Sequence, residues 1–232
     1  MTFKPRCVRL SLRLLCAAVL VAAPVAQAQT VPANEALPFY DTAAFMKGVH
    51  THWYAPQSQA FAQGAAGLAQ GLRQYCEAAP GTPSAAPVAL EGLRTQWQQT
   101  MLSWERLSAV SIGPLVQRRS MRQIDFNPTR PELIERAIRT APADAKAMER
   151  VGTPAKGLPA LEWLLWTKPV APATPACRYA IQVAAEVDTE ARALAKGFAD
   201  LAAFDWSDES EPAVPAMVEF VNQWVGGLER LR

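Results

Sequence analysis

Histidine is scarce in this chain: His50 and His52 are the only two among 232 residues. A hydrolytic metal centre usually takes three protein ligands and a water, so ligand supply alone argues against a working zinc peptidase. His-Glu-x-x-His, a nucleophile motif and a Gly-rich phosphate loop are absent as well. After residue 28 no apolar run approaches twenty residues, which excludes a transmembrane helix in the body of the chain. Strand-like alternation is missing too, and with it the case for a sheet.

What is present begins with an export signal. Lys4, Arg6, Arg9 and Arg13 form a positive n-region, and residues 14–23 are an apolar h-region too short to span a bilayer. Ala26-Gln27-Ala28 is a small-x-small cleavage site, so residues 1–28 are expected to be a signal peptide and 29–232 the mature, periplasmic domain. Cys16 is a poor lipid anchor, because Arg13-Leu14-Leu15 lacks the small residues such processing prefers. Removing four basic and no acidic residues takes the formal charge from +2 to about −2. The basic balance therefore lies in the leader and gives no support for nucleic-acid binding. Two cysteines remain, Cys76 and Cys177. In an oxidising compartment a single disulfide is the expected pairing. A metal site on two distant thiols without nearby histidines is the lesser reading.

The mature chain reads as helix throughout. Residues 29–38 are linker-like. Over 39–76, Phe61, Ala65, Leu68, Leu72 and Tyr75 recur at helical intervals, predicting one long helix broken or kinked at Pro56. Residues 78–87 hold three prolines and read as a loop. The next helix, 88–110, carries Leu90, Leu93, Trp97, Met101 or Thr100, Trp104 and Leu107 as a bundle-type stripe. Basic residues cluster in 117–130, a helix starts at Pro131, and a short one covers 144–150. A Pro-rich link over 168–175 leads to a long Ala-rich helix over 177–204. An acidic loop over 205–211 comes next, and Pro212 or Pro215 opens a last helix through Leu231. The fold class is all-α, an antiparallel helical bundle with irregular connections.

The densest apolar run after the leader is Lys156-Gly157-Leu158-Pro159-Ala160-Leu161-Glu162-Trp163-Leu164-Leu165-Trp166. Proline suits a first helical turn, where its missing N–H would have no partner. Leu158, Leu161 and Leu165 repeat at helical spacing, so most of this helix should be buried. Glu162, its one acid, would then have to find a partner, shift its pKa or bind a cation.

This run resembles the signature of the imelysin-like family, named for a metallopeptidase: Gly-x-His-x-x-Glu followed by an aromatic residue and leucines. Gly157 and Glu162 match the ends, while Pro159 stands where the family has histidine. The likeness extends over roughly residues 40–232. Trp97 and Trp104 before Gly113-Pro114 resemble the family's tryptophan-rich helix and turn. The run from Arg122 through Asp125 to Pro128 resembles a family segment, with Asn127 where relatives usually carry tryptophan. Cys76 and Cys177 fall where many relatives place cysteines. Relatives are longer and carry a second helical bundle, so the expectation is a first bundle with part of the second, truncated at the C-terminus.

The resemblance implies a link to iron or other metal acquisition, with a pocket near Glu162, Arg122, Asp125 and Trp104 and Glu162 as a metal ligand. Carboxylates without imidazole favour a hard cation such as ferric iron. The implied partners are a metal ion and other envelope iron-uptake proteins. The competing reading of Glu162 is a helix-start carboxylate paired with an arginine to lock the bundle. His50 and His52 diverge by about 200° on a helix, so one metal does not reach both. Trp97 and Trp104 read as core, and Arg118, Arg119 and Arg122 either as a solvated basic face or, with Asp125, as an anion pocket. The expected function is a non-enzymatic, exported, metal-linked protein. The alternatives are a metallopeptidase of the family and a structural or partner-binding helical module of the envelope.

Overall fold

The structure is a computed structural model and describes residues 41–78, 86–207 and 212–230. The expected signal peptide, its expected cleavage site and the linker-like stretch over 29–38 lie outside the described residues. So do most of the loop over 78–87 and residues 208–211 of the acidic loop.

The first expected helix is a single run with a fault in it. Helix α1 (Thr42–Val49) passes through a π-helical turn, His50–Tyr54, into α2 (Ala55–Glu77). Pro56 does not break the helix. Its ring would clash with the carbonyl four residues back, and the chain widens one turn instead, Ala55 N–H reaching the His50 carbonyl. Asp41 caps the start, its carboxylate accepting from Ala44 N at 2.9 Å.

Helix α3 (Ala86–Ser108) and the 29-residue α9 (Pro175–Ala203) pack on either side of α2, and these three long helices carry the bundle. Phe61, Leu68 and Leu72 of α2 are fully buried, as are Trp104 and Leu107 of α3 and Leu194 and Phe198 of α9. At the position left open between Met101 and Thr100, Thr100 points inward. Its hydroxyl donates to the Gln96 carbonyl at 2.8 Å, so its polar atom is satisfied within the helix.

Between α3 and α9 the chain makes short elements: α4 (Pro114–Gln117), α5 (Ser120–Ile124), α6 (Pro131–Thr140) and α7 (Ala145–Met148). A 3-10 turn, Thr153–Ala155, leads into α8 (Gly157–Glu162), which widens into a second π-helical turn, Trp163–Thr167. The last helix, α10 (Val214–Arg230), packs on α1. Cys76 at the end of α2 and Cys177 at the start of α9 form a disulfide with Cα atoms 5.5 Å apart. The described residues contain helices and no strand, as the missing alternation predicted. No helix among them is long and apolar enough to cross a membrane.

Candidate functional site

The signature segment is held by its backbone. Lys156 is extended and Gly157 takes φ +75°, a conformation that L side chains rarely adopt. A Cβ at Gly157 would sit inside van der Waals contact of the Ile124 carbonyl oxygen and 2.9 Å from that of Gln123. The end of α5 therefore abuts the start of α8 so closely that only glycine fits. The neighbouring carbonyls are each claimed by a distant element. Arg130 N–H donates to Pro154 at 3.1 Å and the Tyr179 hydroxyl to Ala155 at 2.6 Å. Trp97 Nε1–H donates to Leu158 at 2.9 Å, and Arg94 Nε–H to Leu165 at 3.0 Å.

Residues 157–161 are all buried, including Pro159, and Glu162 is exposed. The expected need for a partner at this acid does not arise, because a buried helix need not bury every side chain it carries. The helix turns Glu162 outward while Leu161, Leu164 and Leu165 face in. Among the described residues Glu162 has no ion pair or hydrogen-bond partner. Arg122 is exposed on α5, and Asp125 ends that helix with its Oδ1 accepting from Asn127 Nδ2 at 2.9 Å. Trp104 is fully buried against Phe61, ring centroids 5.2 Å apart, which places it in the core. The structure does not join these four residues by any hydrogen bond or ion pair among the described residues, and none of them lines the polar cavity between Lys156 and Glu190.

The histidines separate as the helical spacing predicted. His52 is exposed, while His50 is buried, its ring stacked on Trp206 at 5.2 Å with a 15° interplanar angle. Burial lowers its pKa to about 4, so it is neutral at pH 7.

That cavity belongs to a polar centre beside the signature, one that sequence reasoning misses. Glu190 is buried and accepts from Arg118 Nε at 3.0 Å, from Arg118 Nη2 at 2.6 Å and from the buried Ser120 hydroxyl at 2.6 Å. Four residues earlier on α9, Glu186 accepts from Lys156 Nζ at 2.9 Å, and the same ammonium donates to the Met148 carbonyl at 2.8 Å. Burial raises the Glu186 pKa; Lys156 opposes that shift and Glu149 adds to it. Arg118, Gln123, Glu149, Lys156, Glu186 and Glu190 line the cavity, whose volume is about 330 Å³. The detectable signal is on α9. Val183, Val187, Leu194 and Phe198 make an inward stripe, and Glu190 occupies the stripe position between Val187 and Leu194. An acid on an apolar stripe demands a cation, and Arg118 supplies it.

The donor set does not fit a resident catalytic metal. The Pro159 side chain has no lone pair to offer, Glu162 has no carboxylate or imidazole partner among the described residues, and no group of three His, Cys, Asp or Glu among them is placed to hold an ion. Glu149, Glu186 and Glu190 share a cavity, but two of them are committed to Lys156 and Arg118.

Comparison with known proteins agrees with this architecture. The family model described as imelysin matches residues 54–232. A crystal structure of an imelysin-like protein from Psychrobacter arcticum 273-4 superposes with a TM-score of 0.63 at 19% sequence identity, covering 81% of this chain and 59% of that one. The chain thus spans less than two thirds of that relative's length, and at this identity the likeness is one of fold. No curated protein matches. On the family match over most of its length and the shared helical fold, the chain belongs to the imelysin family.

Proposed function

We propose that this protein is an exported, non-enzymatic member of the imelysin family that serves the binding or uptake of iron or another metal in the periplasm. What supports the non-enzymatic half is the arrangement of this run: Pro159 is buried at the position where the resemblance implies histidine, and Glu162 is exposed with no partner among the described residues. A peptidase centre needs an activated water on a metal held by several ligands. This segment offers one carboxylate.

That carboxylate is still an oxygen donor on a rigid helix, open to solvent. It suits a cargo that brings most of its own ligands, such as a ferric ion already held by oxygen donors, to which Glu162 adds one bond. Glu162 then contacts cargo and is neither a catalytic base nor part of a closed site. Elemental analysis after loading with ferric iron as its citrate complex, and with zinc and copper in turn, beside Glu162→Ala, tests this. About one iron per chain, lost in the variant, is the expected result. Chelator-sensitive, Glu162-dependent cleavage of an unfolded protein substrate would establish the metallopeptidase instead. The envelope-module alternative draws on a separate observation, the exposed apolar side chains of α10, Val218, Trp224 and Leu228 among them.

A further inference from the structure

The polar cavity beside the signature takes no part in the proposed contact of Glu162 with cargo, since Glu162 does not line it. At about 330 Å³ it lies at the small end of ligand pockets, roughly 300–1,000 Å³. One wall is a single face of α9, where Gln182, Ala185, Glu186 and Thr189 follow at helical spacing. The other walls include Gln123 of α5, Glu149 at the end of α7, and Lys156.

Most hydrogen-bond donors on this lining are committed within the protein. Lys156 Nζ donates to the Met148 carbonyl at 2.8 Å and to Glu186 Oε1 at 2.9 Å. Arg118 turns Nε and Nη2 onto Glu190. Gln123 Nε2 donates to the Arg118 carbonyl at 2.7 Å, and Gln182 Nε2 to the Ala143 carbonyl at 3.3 Å. The acceptors are left over. With its NH2 group fixed on a backbone carbonyl, each glutamine keeps a side-chain oxygen that no donor among the described residues reaches. Glu186 Oε2 and both oxygens of Glu149 are in the same position among the described residues. Two cations, Arg118 and Lys156, face three carboxylates, Glu149, Glu186 and Glu190, which leaves one negative charge unbalanced.

We propose that this cavity is a binding site for a small organic cation whose charge is a primary ammonium group. An ammonium brings three N–H donors, no acceptor and one positive charge. It answers the surplus of acceptors and the unpaired Glu149 together. Glu149 and Glu186 supply the charged acceptors, and Gln123 and Gln182 the neutral ones. Burial raises the Glu186 pKa and the charge of Glu149 adds to it, a repulsion that a bound cation relieves. Other cations fit less well. No aromatic side chain lines the cavity to cage a quaternary ammonium. No three His, Cys, Asp or Glu among the described residues are placed to hold a bare metal ion.

Isothermal titration calorimetry of the purified protein with 1,4-diaminobutane at low ionic strength tests this. About one diamine per chain is expected, with no saturable heat from tetramethylammonium or magnesium. Glu149→Gln keeps the side-chain shape, removes the unpaired charge and should weaken binding about tenfold, the loss of one charge-assisted hydrogen bond. Ala185→Leu fills the cavity without altering a charge, and should abolish binding with helical circular dichroism unchanged. Glu162→Ala should bind the diamine as the parent does, so this site and the proposed cargo contact stand or fall separately. No saturable heat from the diamine would overturn the proposal, as would binding that survives Ala185→Leu. Equal binding of tetramethylammonium or of magnesium would overturn it too.

Discussion

The two acids beside the signature loop make opposite predictions, and the contrast tests whether Glu190 or Glu162 supports the fold. In Glu190→Ala the loss is threefold: two bonds from Arg118 at 3.0 and 2.6 Å and one from Ser120 at 2.6 Å. The Arg118 side chain is 43% exposed, so its freed guanidinium turns to water. The Ser120 hydroxyl has no such escape, because the residue is fully buried. Stranding a buried donor costs about 1–3 kcal/mol, and breaking a fully buried ion pair about 3–5 kcal/mol. Half-exposure of Arg118 lowers the second figure and puts the sum at about 3 kcal/mol. For a body of this size that is a fall in Tm of roughly 6–12 °C. Glu162→Ala removes an exposed carboxylate with no partner among the described residues and should stay within about 0.5 kcal/mol of the parent. Urea unfolding monitored by circular dichroism, with both variants in one buffer, measures the difference. If Glu162→Ala costs as much as Glu190→Ala, the assignment of structural and free acids is wrong.

Three further changes test separate links. Gly157→Ala forces a positive φ on alanine, about 1–2 kcal/mol, and pushes α8 off the Ile124 carbonyl. A total loss above about 3 kcal/mol is expected, and a Tm near the parent's would refute the close packing. His50, with its pKa lowered from 6.5 to about 4, refuses a proton that the unfolded chain accepts between those values. Stability should therefore fall by about 3 kcal/mol as pH drops through that window, and His50→Phe should flatten that part of the profile. Replacing Cys76 and Cys177 together with alanine frees a loop closed across a sequence separation of 101. The double variant should lose about 2–5 kcal/mol in chemical denaturation, and added reductant should weaken the parent while leaving the variant unchanged.

The architecture is legible in the sequence because helix periodicity and proline placement are local. Phe61, Ala65, Leu68, Leu72 and Tyr75 fall on one face by spacing, and all five are buried. The π-helical turn at His50–Tyr54 is not readable, since it is one of several ways a helix can accommodate Pro56, and the choice is made by tertiary packing around His50 and Tyr54. The disulfide comes from counting cysteines in an oxidising compartment. Glu162 marks where spacing stops being informative. Burial of its neighbours is predictable, but the direction in which one side chain leaves a helix depends on what surrounds the helix. Glu190 escapes notice because the alanines of α9 dominate its composition, although an acid between Val187 and Leu194 is a departure from the stripe that spacing alone could flag.

The two ends of the signature stand on different physical footing. Gly157 is demanded by the backbone of α5, whatever chemistry the helix carries. No described residue pairs with Glu162, so stability among them gives no reason for an acid at that place. The same separation applies to the position between them. Pro159 is compatible with a first helical turn and is buried among residues whose neighbours are fixed by Trp97, Tyr179 and Lys156. Glu162 is open to a molecule that approaches α8 from solvent, so an assay that adds cargo tests its proposed role more directly than one that seeks a buried centre.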